Sequence, residues 1–155
     1  MNKLLIYYSL SGNGDFIAEQ LKTQGYAVRK VEPKKDMPKK FFWQIMAGGF
    51  AAGIGKKEPL KNYDPDVSGF DEIVIGSPVW NGRLSCPINT VLAETDLKGK
   101  ALTFLLYSGS GGAPKAEQNA GSITSAPRSS AVNATRQTKP VSFTTPPNWW
   151  AEMLS

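Results

Sequence analysis

Histidine is missing from this chain. Its absence removes serine–histidine and cysteine–histidine nucleophile pairs, histidine acid–base work and most zinc chemistry. Cysteine occurs once, as Cys86, so no internal disulfide can form and a reducing, cytosolic setting is expected. No apolar run approaches the roughly 20 residues that cross a bilayer. The apolar stretch after Met1-Asn2-Lys3 is too short for the core of a signal peptide, so none is expected. Charge is mildly one-sided, with 18 basic against 13 acidic residues and a net +5. That excess steers the chain toward acidic partners, but the lysines are dispersed and no nucleic-acid motif accompanies them.

What is present is an alternation of apolar strands, small-residue loops and helices over a chain of 155 residues, a length that suits one domain. Lys3 to Tyr8 reads as a central parallel strand. A helix follows from about Gly14 to Thr23, with Phe16, Ile17, Gln20 and Leu21 placed on one face and Gly25 as the stop. A short strand, Ala27 to Val31, ends at Pro33. Residues 34 to 62 form a longer connection in which Phe41 to Ala47 reads as a helix covering one face of the sheet, with a membrane-surface or partner helix as the alternative. Phe70 to Ser77 is the third strand. Pro78-Val79-Trp80-Asn81-Gly82-Arg83 follows as a loop, and the next helix spans about Ile88 to Glu94, with Pro87 near its start. Ala101 to Tyr107 is the fourth strand, ending in a second glycine loop.

After Lys115 the composition turns to Ser, Thr, Ala, Pro and Asn without sustained periodicity. Residues 116–155 are therefore expected to be poorly ordered or aberrant. Pro140 to Thr144 is a poor candidate for an edge strand and Asn148 to Leu154 for a short final helix. A shift of reading frame near codon 118 would account for the change, and translating the other frames of the gene tests it.

The loop Ser9-Leu10-Ser11-Gly12-Asn13-Gly14 carries the main functional signal. It combines hydroxyls, glycines and an Asn between a parallel strand and a helix, where backbone N–H groups converge and the positive end of the helix dipole points outward. It contains no Lys or Arg, so a phosphate would be held by hydroxyls and amides. Ser9 and Ser11 supply hydroxyls, Gly12 and Gly14 allow close approach and positive φ, and Asn13 adds a side-chain donor. The same residues also fit an ordinary strand-to-helix turn with Ser11 or Asn13 as a cap.

Three segments in this order give the chain a resemblance to the flavodoxin family, specifically its short bacterial members. SLSGNG looks like that family's phosphate loop. GFDEIVIGSPVWNGRLSCPINTVL looks like its third strand, flavin-edge loop and next helix. KALTFLLYSGSGG looks like its fourth strand and second flavin loop. The resemblance covers roughly residues 1 to 115. It implies an α/β, doubly wound, flavodoxin-like fold with a parallel sheet of order 2-1-3-4-5 and FMN at the carboxyl ends of the strands. The basic charge departs from the usually acidic family, and the tail does not look like the family's last strand and helix.

Under that resemblance Trp80, beside Pro78 in the loop, is expected to stack on the flavin ring. Asn81-Gly82 supplies a peptide whose carbonyl can turn toward the ring, because both residues tolerate positive φ. Gly109, Ser110, Gly111 and Gly112 are expected at the pyrimidine edge, with Tyr107 as a weaker ring contact or a packing residue. Cys86 reads as a packing residue rather than a redox thiol. Asp71-Glu72 reads as a solvated strand start, and Asp15 would repel a phosphate if it faced inward. No catalytic acid–base set is visible and no metal is expected.

The implied function is an FMN protein carrying electrons one at a time between transiently docked redox partners, as a cytoplasmic monomer. Two alternatives stand beside it: an FMN-dependent NAD(P)H quinone or nitro-compound reductase, and a flavin-free interaction module on the same fold.

Overall fold

The computed structural model describes residues 1–10, 12–35, 40, 57–80, 83–108 and 132–135, with the backbone alone for 108 and 132–135. In chain order these form β1 (Lys3–Tyr7), α1 (Asn13–Thr23), β2 (Ala27–Lys30), β3 (Glu72–Trp80), β4 (Arg83–Leu84), α2 (Cys86–Glu94), β5 (Ala101–Ser108) and β6 (Val132–Thr135). Five strands lie in the order β2-β1-β3-β5-β6, all pairings parallel, and the short β4 folds back antiparallel on β3. The expected parallel order is therefore present, with β4 as an addition. The fifth parallel strand is Val132–Thr135, while the expected strand at 140–144 and helices at 41–47 and 148–154 fall outside the described residues.

The period-two pattern of the strands sorts the core onto two faces. Leu4, Ile6 and Tyr8 join Ile73, Ile75, Phe104 and Leu106 on the face covered by Ile88 and Val91 of α2. Leu5 and Tyr7 join Val74, Leu105 and Tyr107 on the face covered by Ile17, Ala18 and Leu21 of α1. Helices thus cover opposite faces, as a doubly wound sheet requires. Strands buried on both sides have no polar face to show, which is why β1, β3 and β5 read as almost unbroken apolar runs.

Two expected helix details are corrected. The buried face of α1 is Gly14, Ile17, Ala18 and Leu21, an i, i+3, i+4, i+7 set, while Phe16 is 53% exposed and Gln20 also faces water. The helix after β4 starts at Cys86, not Ile88, so Pro87 lies within its first turn, where a missing N–H costs nothing. Gly25 does end α1. It has φ +85°, its N–H bonds the Lys22 carbonyl and the Tyr26 N–H bonds that of Leu21, which together close a Schellman motif.

The open edge at β2 is covered by residues 57–67. Pro33 bridges Leu60, Lys34 and Lys61 exchange backbone bonds with Pro59 and Glu32, and the Arg29 guanidinium holds the carbonyls of Asp64 and Asp66. Covering an edge in this way removes a template for intermolecular strand pairing.

Candidate functional site

The carboxyl ends of β1, β3 and β5 lie side by side: Tyr7 pairs with Gly76, Gly76 with Leu105, and Pro78 with Tyr107. Neighbouring strands are about 4.8 Å apart, so these paired strand ends lie at one rim of the sheet. Between β1 and β3 the chain direction of the crossovers reverses, with β2 on one side and β3 on the other. This is the switch point at which open α/β sheets bind ligands.

The loop after β1 has the expected opening. Gly12 is the N-cap of α1 in the left-handed region, φ +85° and ψ −8°, and nothing lies within 4 Å of where its Cβ would be. Its carbonyl accepts the Phe16 N–H to start the helix. Neither Asn13 nor another side chain caps at Gly12. Instead the Ser9 Oγ reaches forward to accept the Gly14 N–H at 3.1 Å. Ser9 thus fixes the helix start from the strand side, and Ser11 falls outside the described residues.

Gly14 plays a different part from the one expected. It is helical, not positive in φ, and it is buried. A Cβ there would stand 2.7 Å from the Tyr107 hydroxyl and 2.9 Å from the Ser9 Cβ. Gly14 therefore makes room for protein atoms beneath the loop.

Asp15 is drawn onto Lys30 and Tyr7, with Ser9 of the loop also bonding its carboxylate. Its Oδ1 accepts the Tyr7 hydroxyl at 2.8 Å and meets the Lys30 ammonium at 2.7 Å. Partial burial works to raise its pKa, but the bonds from Lys30 and Tyr7, together with the Lys30 charge, outweigh this and hold the carboxyl below the usual value. The Lys30 charge thereby balances the carboxylate beside the Gly12 turn. Burial, and then the bond to Asp15, pushes the Tyr7 phenol well up, so it remains a donor.

Two expected ring contacts are corrected in position. Trp80 is not a loop residue: it ends β3, is 4% exposed, and packs edge-on against Tyr8 with ring centroids 5.7 Å apart. It pairs with Arg83 across the hairpin, which leaves the two residues Asn81 and Gly82 between the paired positions. A two-residue Asn-Gly connection keeps its flanking residues in strand register, and that draws Trp80 into the core. Tyr107 is likewise buried, beneath the sheet face that carries α1, and its hydroxyl donates to the Tyr8 carbonyl. Burial raises its pKa well above the ordinary value, with Tyr7, Asp15 and Tyr8 adding to the effect. Pro78 lies within β3 and is half-buried. Asn81, Gly82, Gly109, Ser110, Gly111 and Gly112 lie outside the described residues.

Sequence reasoning did not find the buried pair Ser77 and Ser85. Ser77 Oγ accepts the Ser85 N–H at 3.1 Å and lies 3.1 Å from the Ser85 hydroxyl, with no exposure at either residue. The pair ties the end of β3 to the start of α2 across the β4 hairpin. A Ser directly before Pro78 was the only available hint. Cys86 packs at the edge of the α2-side core, in accord with a packing role.

A cavity of about 300 Å³ opens at the ends of β1 and β2, lined by Tyr8, Ser9, Leu10, Lys30, Val31, Glu32 and Pro33. It lies on the β2 side of β1 and shares Ser9 and Leu10 with the loop after β1. Among the described residues no helix is long and apolar enough to cross a membrane.

No family model and no curated protein sequence matches the chain. Solved structures do match in fold. A candidate flavoprotein from Bacteroides eggerthii superposes with a TM-score of 0.73 at 18% identity, covering 88% of this chain and 89% of that one. One from Bacteroides uniformis gives 0.71 at 20% identity, covering 87% and 92%. A flavoprotein from Lactobacillus acidophilus solved in complex with FMN gives 0.57 at 21% identity, covering 87% and 92%. The α/β, mostly parallel architecture of this chain is that of these flavodoxin-like structures.

Proposed function

We propose that this chain binds FMN and carries electrons one at a time between partner proteins. The observation that carries the reading is the Gly12 turn. A left-handed glycine opens the N-terminus of α1 at the switch point of the sheet, and the one carboxylate in that first turn is swung aside onto Lys30 and Tyr7. A dianionic phosphate would meet amide donors and the helix dipole with no unpaired negative charge in the turn. The shared architecture with an FMN-bound flavoprotein supports the same reading.

The residues present fit the group. Ser9, Ser11, Gly12, Asn13 and Gly14 would hold the phosphate end, with Ser9 and Gly14 engaged with each other in shaping the turn. Asn81, Gly82, Gly109, Ser110, Gly111 and Gly112 would border the ring. Trp80 and Tyr107, both buried, would shape the floor beneath it rather than offer a face. The flavin supplies the redox chemistry, while the protein binds it, orients it and limits access of water. The net +5 charge favours acidic partners, and association with them should slow as salt rises.

The test is direct. The purified protein is mixed with FMN, freed of unbound ligand and examined for flavin absorption. A stoichiometric yellow complex that exchanges electrons with acidic redox proteins, and that turns over NADPH with a quinone acceptor no faster than free FMN does, supports the carrier. Rapid NADPH turnover would make the chain a reductase. Absence of retained flavin would leave an interaction module.

A further inference from the structure

Resting on the FMN reading above, we infer that Tyr107 is a positioning residue for the phosphate loop. Its buried ring and hydroxyl hold the end of β1 and the first turn of α1 in the conformation that receives a phosphate, without touching the ligand.

Tyr107 stands on β5, two strands away from β1. Its side chain crosses beneath β3 to reach the Tyr8 carbonyl, to which its hydroxyl donates. Gly76 of β3 lies along the passage: a Cβ there would stand 2.7 Å from the Tyr7 Cβ and 3.3 Å from the Tyr107 hydroxyl oxygen. Gly14 of α1 leaves room at the far end, at 2.7 Å from the same oxygen. Two glycines far apart in sequence thus border a single phenol.

The hydroxyl completes a chain of fixed peptides. The Tyr8 N–H donates to the Gly76 carbonyl at 3.1 Å, and the Tyr8 carbonyl takes Tyr107, so both backbone polar groups of Tyr8 are held. The next residue, Ser9, accepts the Gly14 N–H. The position of the helix start therefore depends on the direction of the Tyr8 carbonyl. A phenylalanine would fill the ring's space, but only a phenol can hold that carbonyl. A buried hydroxyl with no partner would be costly, so the contact has one low-energy arrangement. Fixed donors bind a dianion better than mobile ones, because no ordering cost remains at the moment of binding.

The test is Tyr107→Phe in the full chain. Wild type and variant are titrated with FMN and with riboflavin, which differ only in the phosphate, and binding is read from flavin fluorescence. Wild type is expected to prefer FMN. The variant should lose about tenfold of that preference, the loss of one hydrogen bond's worth of ordering, while its riboflavin affinity changes less than about threefold. An unchanged preference, or an equal loss for both ligands, overturns the inference, since a merely structural role would weaken both alike. Gly14→Ala, which intrudes on the same hydroxyl, is the second variant and should lower the preference in the same direction. An unchanged ratio there also overturns the inference. A ligand-free arm separates this inference from the reading beneath it. In Tyr107→Phe the Gly14 amide should exchange with solvent at least about tenfold faster while the Leu21 amide of the same helix is unaffected. Equal exchange overturns the clamp. A wild type that shows no preference for FMN overturns the proposed function instead.

Discussion

Lys30, at the end of β2, and Asp15, in the first turn of α1, meet at 2.7 Å beside the Gly12 turn. Both side chains are more than a third exposed, so the pair contributes only about 0–1 kcal/mol to stability. Its consequence lies in charge placement. Removing Lys30 leaves the Asp15 charge held only by neutral hydroxyls beside the turn. Lys30→Ala should therefore weaken binding of FMN or inorganic phosphate several-fold at low salt, and Asp15→Asn should bind at least as well as wild type. The Lys30→Ala loss should shrink as ionic strength rises, because the Debye length falls to about 8 Å near physiological salt. Titration at two salt concentrations checks this, and a Lys30→Ala variant with unaltered affinity at low salt would disprove it.

The same carboxyl sets a pH dependence. Asp15 is lowered from 3.8 in the folded protein, so it binds a proton less readily there than in the unfolded chain. Its contribution is complete above the unfolded value and is lost as pH falls through the folded value. Asp15→Asn should thus be less stable than wild type near pH 7, by no more than about 1 kcal/mol given the exposure of the pair. The difference should shrink as pH falls below the unfolded value and vanish once the carboxyl is protonated in both states. Urea unfolding at several pH values measures it, and a gap that persists in acid would contradict the assignment.

Gly12 and Gly14 should respond to alanine for different reasons. At Gly12 there is open space, and only the left-handed backbone opposes a side chain. Gly12→Ala should cost about 1–2 kcal/mol, and Gly12→Asn less, since Asn tolerates that region. At Gly14 the backbone is helical, and alanine would gain about 0.5–1 kcal/mol from propensity. Contact with Tyr107 and Ser9 opposes it at about 1–3 kcal/mol, so the net effect should be destabilising. Thermal unfolding of both variants decides the matter: a Gly14→Ala protein more stable than wild type would show that the contact relaxes freely.

Much of this arrangement was visible in the linear chain, and the remainder was hidden for physical reasons. The strands β1, β3 and β5 announce themselves because burial on both faces demands unbroken apolar runs, and the Ser-Gly-Asn-Gly turn announces a helix start. Trp80 misled because Pro78 and Asn81-Gly82 suggest a loop, whereas a two-residue hairpin leaves the residue before it in the strand. Phe16 misled because the buried stripe of α1 runs through Ala18, a weakly apolar residue that simple hydrophobic matching passes over. The strand Val132–Thr135 alternates over only four residues, too few to stand out. The Tyr107 contact with Tyr8 joins positions 99 apart, and no local pattern reports a pairing of that range.

Ser77 and Ser85 supply a further test, bearing on the turn between them. The Ser85 N–H is buried and bonds the Ser77 Oγ. Ser77→Ala leaves that donor unsatisfied and should cost about 1–3 kcal/mol. Ser85→Ala keeps the backbone donor paired and should cost less. The reverse order in urea unfolding would mean that the two hydroxyls, rather than the amide, carry the contact.

Trp80 offers the sharpest contrast between a packing residue and a ligand platform. Only 4% exposed and edge-on to Tyr8, it fills the core beside Leu84 and Ile88. If that placement governs its role, Trp80→Ala should cost about 3–5 kcal/mol and depress FMN and riboflavin binding only as far as folding is lost. Trp80→Phe, which keeps an aromatic body of smaller volume, should lose stability and bind flavin nearly as wild type does. A platform would behave oppositely: truncation would change stability little, and ring affinity would fall for both flavins alike. Urea unfolding and flavin titration on the same two variants separate the cases, and a stable Trp80→Ala protein with abolished flavin binding would return Trp80 to the surface of the site.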